Sequence, residues 1–180
     1  MRIIGKSALS DVVKGQRVLS TAPLNSQIAL GRYIEIQLLD EIDNGVSTSE
    51  FLNILHNCNS HIICAVHTPL VDGLAVNLEK IQDKLVYHRL EETLKLAGEI
   101  SAERGTEVLV VVHNSGTLDD YVRNTDLLKT LKNLLLSYFS LYPKLTMGIE
   151  NVIPIYSKDR LEYKNGTLFE NVDIAKFLSE

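Results

Sequence analysis

Leu109-Val-Val-Val-His113, followed by Asn114-Ser-Gly116, is the stretch on which the reading of the chain turns. Four apolar residues, three of them β-branched, run into one histidine and then into turn-forming residues. Two other segments have the same form. Ile62-Ile-Cys-Ala-Val-His67 stops at Thr68-Pro69, and Leu145-Thr-Met-Gly-Ile-Glu150 stops at Asn151, with Pro154 close behind. Each is predicted to be a buried strand that delivers one metal-competent side chain at its C-terminal end. Apolar runs of this length fit fully buried parallel strands better than the alternating pattern of a sheet with one wet face.

Helix signals separate these strands. Ser47-Thr-Ser-Glu50 is a capping-box pattern, after which Phe51, Leu55 and Cys58 share a buried face. A loop from Thr68 to Asn77 leads into a long amphipathic helix reaching about Arg104; Val86, Leu90, Leu94 and Ala97 form its stripe and Gly105 its C-cap. A third helix, from about Asn124 to Tyr142 and stopped by Pro143, buries Leu127, Leu131, Leu134, Leu135 and Tyr138, and Asp119-Asp120 reads as a helix-start cap. Earlier, Arg2 to Ile4 is a short strand candidate and Arg32-Tyr-Ile-Glu-Ile-Gln-Leu38 alternates at period two before an acidic loop, Asp40-Glu41 and Asp43-Asn-Gly45. The segment 10–25 gives no clear assignment. Near the end, Asn165-Gly166 between alternating flanks predicts a small β-hairpin over Arg160 to Phe169, placed as a wall or lid beside the site. Val172 to Leu178 reads as a closing helix.

The chain has 180 residues, 45% of them hydrophobic, and a formal charge of −5, enough for one globular domain and without the basic run that phosphate-backbone binding favours. Nucleic acid is disfavoured as a partner on that ground. Cys58 and Cys64 are not spaced like a zinc knuckle and read as reduced structural thiols. There is no signal-peptide pattern at Met1-Arg-Ile-Ile and no stretch long enough to span a bilayer, so a cytoplasmic location is expected. Asn165-Gly-Thr167 is read as a turn rather than a glycosylation site.

Strands alternating with helices imply βαβ units in a parallel α/β fold, either a (β/α)₈ barrel or an open doubly wound sheet. Neither G-x-G-x-x-G nor the P-loop pattern occurs, and polar residues end three successive strands where barrel enzymes build their sites, so the TIM-barrel type is preferred. The order strand-His67-Thr-Pro, strand-Val-Val-His113, strand-Ile-Glu150-Asn, with the long helix between the first two, resembles the xylose isomerase-like TIM-barrel superfamily over roughly residues 32 to 152. That superfamily joins sugar and sugar-phosphate isomerases and epimerases to apurinic-site endonucleases. The resemblance implies that Glu150 binds a divalent metal and serves as proton-transfer base. It implies that His67 and His113 ligate metal, as in the nuclease branch, or orient substrate, as in the sugar branch.

The residues themselves suit that chemistry, since imidazole and carboxylate are ligands for Zn²⁺ or Mn²⁺, with Mg²⁺ and Co²⁺ also admitted. The resemblance thus makes Glu150 and His67 the expected catalytic residues and Glu150, His113 and His67 the expected metal ligands. Glu35, His113, Asn114 and Asn151 are the expected contacts to a small carbohydrate substrate, while His56, His61 and His88 are expected to face solvent. A lone strand-end histidine is more often a hydrogen-bonded rim residue, and it is the coincidence of three such ends that makes the metal reading worth testing. Three functions follow, the first preferred: a metal-dependent isomerase or epimerase working through an enediolate; a phosphodiester hydrolase of the apurinic-endonuclease type, against which the acidic loop Asp40-Glu41 and Asp43 weighs because a nuclease needs Arg or Lys near the phosphates; or a non-catalytic partial barrel. At roughly 31 residues per βα unit, taken from about 250 residues for eight units, five strands are counted here. An incomplete barrel with open edges, and hence a homo-oligomer, is expected.

Overall fold

The structure, a computed structural model, describes residues 4–8, 33–56, 62–71, 74–150 and 168–180. In chain order the elements are β1 (Ile4–Ala8), β2 (Tyr33–Gln37), α1 (Thr48–His56), β3 (Ile62–His67), β4 (Leu70–Val71), β5 (Leu74–Ala75), a 3₁₀ turn (Leu78–Lys80) and α2 (Lys84–Arg104). There follow β6 (Val108–Val112), α3 (Leu118–Arg123), α4 (Thr125–Leu141), β7 (Leu145–Ile149) and α5 (Leu168–Ser179). β1, β2, β3, β6 and β7 form one sheet in that order, every neighbouring pair parallel. The chain is thus a parallel α/β protein in which each new main strand adds to the same side of the sheet. A doubly wound sheet reverses its strand order at a switch point, and no reversal occurs among the described strands. Nor does β1 meet β7 there, so the described sheet is open.

The crossover helices form one layer. α2 packs against α1 on one side and α4 on the other, and also against β3, β6 and β7. Its stripe is buried as periodicity requires: Leu90, Leu94 and Ala97 are fully enclosed, as is Leu131 of α4. Cap chemistry sets the helix ends. Ser47 Oγ accepts from the Glu50 amide while the Glu50 carboxylate accepts from the Ser47 amide, the expected capping box. Gly105 has φ 62°, a left-handed cap that a Cβ would strain.

Several expectations shift. α2 begins at Lys84, after a separate 3₁₀ turn, because the Asp83 carboxylate accepts from the Leu85 and Val86 amides and caps the helix there. The loop after β3 contains the two-stranded antiparallel ribbon β4–β5. Asp120 does cap a helix start, in a box with Thr117, but that helix is the short α3; α4 follows from its own cap, Asn124. β1 runs from Ile4 through Gly5, which pairs with Ile34 instead of ending the strand. The hairpin expectation lies mostly outside the described residues, and Leu168 and Phe169 open α5, whose Asn171 and Ile174 are buried at helical spacing. Cys58 and His61 also lie outside the described residues, whereas Cys64 is half-buried and in no disulfide. Among the described residues no helix is long and apolar enough to cross a membrane.

β6 is not uniformly buried, contrary to the expectation from its apolar run. Val108, Val110 and Val112 are wholly enclosed, whereas Leu109 and Val111 are half-buried. Side chains alternate across a strand, so the first three face the helix layer and the other two the opposite side. An apolar residue on both faces satisfies the sequence pattern whichever face is the more deeply covered.

Candidate metal centre

Parallel register carries that alternation across the sheet. Gln37 pairs with His67, His67 with Val111, and Val111 with Gly148, so these residues share the face turned away from the helices. One step beyond Val112 and Ile149, His113 and Glu150 fall on the same face. A register shift between Ile34 and Glu35 leaves Cys64 as an extra residue in β3, which lets both Ile63 and Val66 enter the core while His67 keeps its place opposite.

Backbone hydrogen bonds hold all three strand ends. The Leu38 amide donates to the His67 carbonyl at 3.3 Å, and the Glu150 amide donates to the Val112 carbonyl at 2.8 Å, extending the ladder past β7. After the β4–β5 ribbon the chain returns beside His113, whose amide donates to the Val76 carbonyl and whose carbonyl accepts from the Leu78 amide at 3.0 Å. His113 is therefore clamped on the peptide backbone, the rigid mounting that a site with fixed geometry requires.

The three side chains converge. His67 Nε2 lies 2.8 Å from Glu150 Oε2, His113 Nε2 lies 3.3 Å from the same oxygen, and the two Nε2 atoms are 3.2 Å apart. Metal bonds of 2.0–2.2 Å at the tetrahedral angle place neighbouring ligand atoms about 3.3–3.5 Å apart, so this triangle fits one small divalent cation with slight expansion. Burial grades across it: the side chains of His67, His113 and Glu150 are 2%, 15% and 38% exposed, so the site is most enclosed at His67 and least at Glu150. Below, a Cβ on Gly148 would come within 3.2 Å of Leu109 Cδ1, so that part of the face is closely packed.

Charge balance calls for a positive charge at this point. Two imidazole nitrogens and a carboxylate oxygen are all acceptors when unprotonated, and at these separations they repel unless something positive lies among them. His67 Nδ1 is 2.8 Å from the Thr68 carbonyl oxygen, a contact that requires a proton on Nδ1 and directs the other ring nitrogen to the centre. A proton on an imidazole or a shared metal ion would each relieve the repulsion.

The remaining expected site residues divide. Glu35, half-buried, lies on the same face as His67, its register partner being Ala65. Asn114 is 1% exposed; its amide donates to the Gly116 carbonyl and to Asn171 of α5, and its oxygen accepts from the Gly116 amide and the Tyr121 hydroxyl. These contacts fasten the turn behind His113 to α3 and α5, and burial pushes the Tyr121 phenol up, keeping it the donor. Asn151 lies outside the described residues. His56, which pairs with Glu103, and His88 are exposed as expected. Two contributions are absent from the sequence reading: Gln37, whose parity with Glu35 on β2 was the available signal, and the Val76–Leu78 clamp, which gives none. Neither protein-family models nor curated proteins match the chain.

Proposed function

We propose that the chain is a partial (β/α)-barrel protein whose His67, His113 and Glu150 hold a divalent cation for hydrolysis, with a phosphodiester as the substrate class. One observation supports this reading above the others: both histidines turn Nε2 onto the same carboxylate oxygen, Oε2 of Glu150. Two histidines and a glutamate with an open fourth position make up a hydrolytic donor set. A cation there would supply Lewis-acid activation of water or of a phosphoryl oxygen. The chain's own part is to fix the donors on three strand ends, with Glu150 the most exposed of them. The acidic loop that weighed against a phosphate substrate weighs less in the fold, because Asp43 is ion-paired with Arg89 and the Glu41 carboxylate accepts from the Leu39 amide. The sequential strand order and single helix layer support the barrel type over the doubly wound one.

The isomerase reading stands second. Glu150 is the most exposed of the three, but with both histidines on its Oε2 a proton from a substrate carbon would have to be taken by Oε1. Titration of purified chain with Zn²⁺, Mn²⁺, Co²⁺ and Mg²⁺, followed by assays on an abasic-site duplex, an aryl phosphodiester and a panel of aldose–ketose pairs, separates the readings. Metal-dependent diester cleavage, lost in Glu150→Gln together with more than about 100-fold of metal affinity, is expected, because even substitutions outside the ligand shell cost 10–100-fold. Carbohydrate interconversion alone would favour the isomerase, and metal binding without turnover the non-catalytic barrel. Absence of metal binding would overturn both metal-dependent readings and leave the non-catalytic barrel. Light scattering tests the expected homo-oligomer.

A further inference from the structure

We infer that Gln37 is a positioning residue that fixes the ring of His67 for metal ligation; this rests on His67 being a ligand through Nε2. Gln37 ends β2 and is 8% exposed, an unusual burial for an amide side chain. Its Nε2 lies 2.9 Å from the Leu38 carbonyl oxygen, 3.0 Å from the Thr68 carbonyl oxygen and 3.1 Å from His67 Nδ1. An amide NH₂ has two hydrogens, and the two carbonyls take both. The reverse amide orientation would turn oxygen onto two carbonyl oxygens, so the network itself fixes which end is nitrogen.

The contact with Nδ1 then has no hydrogen from Gln37 to fill it. His67 Nδ1 carries its own proton and donates it to the Thr68 carbonyl at 2.8 Å. That carbonyl accepts from both residues, and Gln37 thereby ties the end of β2 to the residue following β3 and aims the Thr68 oxygen at the ring. With Nδ1 protonated, Nε2 is the nitrogen left to meet a cation beside His113 and Glu150. Partners of this kind orient a ligand ring and set its tautomer. Here the partner is a backbone carbonyl, and the side chain that holds the carbonyl is the third member of the relay.

Gln37→Met, which keeps length and removes both donors, tests the role in the full chain. The readouts are the ¹⁵N shift of His67 Nδ1 in metal-free protein at about pH 8, above the ordinary imidazole range, and the Zn²⁺ dissociation constant. The unmutated chain should show a pyrrole-type, protonated Nδ1. In Gln37→Met that signal should move toward the pyridine type, and the dissociation constant should rise about 10–100-fold. An unprotonated Nδ1 in the unmutated chain overturns the inference without any variant. Unchanged Nδ1 shift and unchanged Zn²⁺ affinity in folded Gln37→Met overturn it equally. If the Nδ1 signal responds to Gln37→Met but the unmutated chain binds no metal, the relay stands and the metal-centre reading fails; if metal binds and Nδ1 is indifferent to Gln37, the relay alone fails.

Discussion

On the helix side of the sheet, Ile36, Val66, Val108, Val110 and Val112 are each at most 1% exposed and belong to a single apolar cluster. On the other side, one residue along each strand, stand Gln37, His67, His113 and Glu150, held by directed contacts between 2.8 and 3.3 Å. The same strands supply both faces, but the two are specified differently. The helix side needs volume and apolar character, which several residues can provide. The opposite side needs particular atoms at particular places and gathers groups that are all acceptors when unprotonated. The first face should therefore govern stability and the second the response to metal.

The largest expected effect tests the helix side. Leu94 of α2 is fully buried, so Leu94→Ala should lower the free energy of unfolding by about 2–5 kcal/mol, the lost transfer energy plus a residual cavity. Urea unfolding measures it. The Zn²⁺ affinity of the folded protein should be unchanged; a parallel fall in affinity would mean that the helix layer positions the site and that the faces are not separable.

Next is the metal response. On the proposed metal reading, free metal at 100 times its dissociation constant should stabilise the chain by about 2.7 kcal/mol, the increment for a ligand that binds only the folded state. His113→Ala should abolish that increment while lowering metal-free stability by less than Leu94→Ala does. Thermal melts with and without Zn²⁺ read both quantities, and a variant that keeps the full metal increment would remove His113 from the ligand set.

These contrasts explain what the sequence made legible. Strand ends at His67, His113 and Glu150 could be read because an apolar run followed by Asn, Pro or Gly marks both a strand and its exit, and equal placement along parallel strands brings equal ends to one rim. Their convergence on one oxygen could not be read, because it depends on register and on the bulge at Cys64, neither of which has a composition signal. Gln37 was hidden for a different reason. A buried glutamine in an alternating strand looks like any half-exposed polar residue until its two carbonyl partners, one of them from another strand end, are in place. Asn114 shows the converse: a polar residue beside a strand-end histidine suggested a substrate contact, while in the fold its amide is occupied by Gly116, Tyr121 and Asn171. Boundaries such as the start of α2 followed cap chemistry at Asp83 rather than hydrophobic period, which continues upstream through Leu78 and Ile81.

The smallest effect tests whether charge on the helix layer acts independently of the site. Asp43, in the loop after β2, forms an ion pair with Arg89 of α2, and that hydrogen-bonded guanidinium holds its carboxyl below the ordinary value of 3.8. A carboxyl depressed in the folded state contributes stability that is complete above its unfolded value and is lost as pH falls through the folded one. The pair is partly open to solvent, which limits its contribution to about 1 kcal/mol or less. Asp43→Asn should therefore be less stable than the unmutated chain by up to that amount near neutral pH. The difference should shrink below pH 3.8 as the unmutated carboxyl itself takes up a proton. Urea unfolding across the acid range measures the two curves, and a gap that persists at the acid end would assign the effect of the substitution to packing. Zn²⁺ affinity near neutral pH should be equal in the two proteins, because Asp43 faces α2 and not the three strand ends. A shift in affinity would instead show that the acidic loop contributes to the field at the metal centre, which would restore its weight against a phosphate substrate.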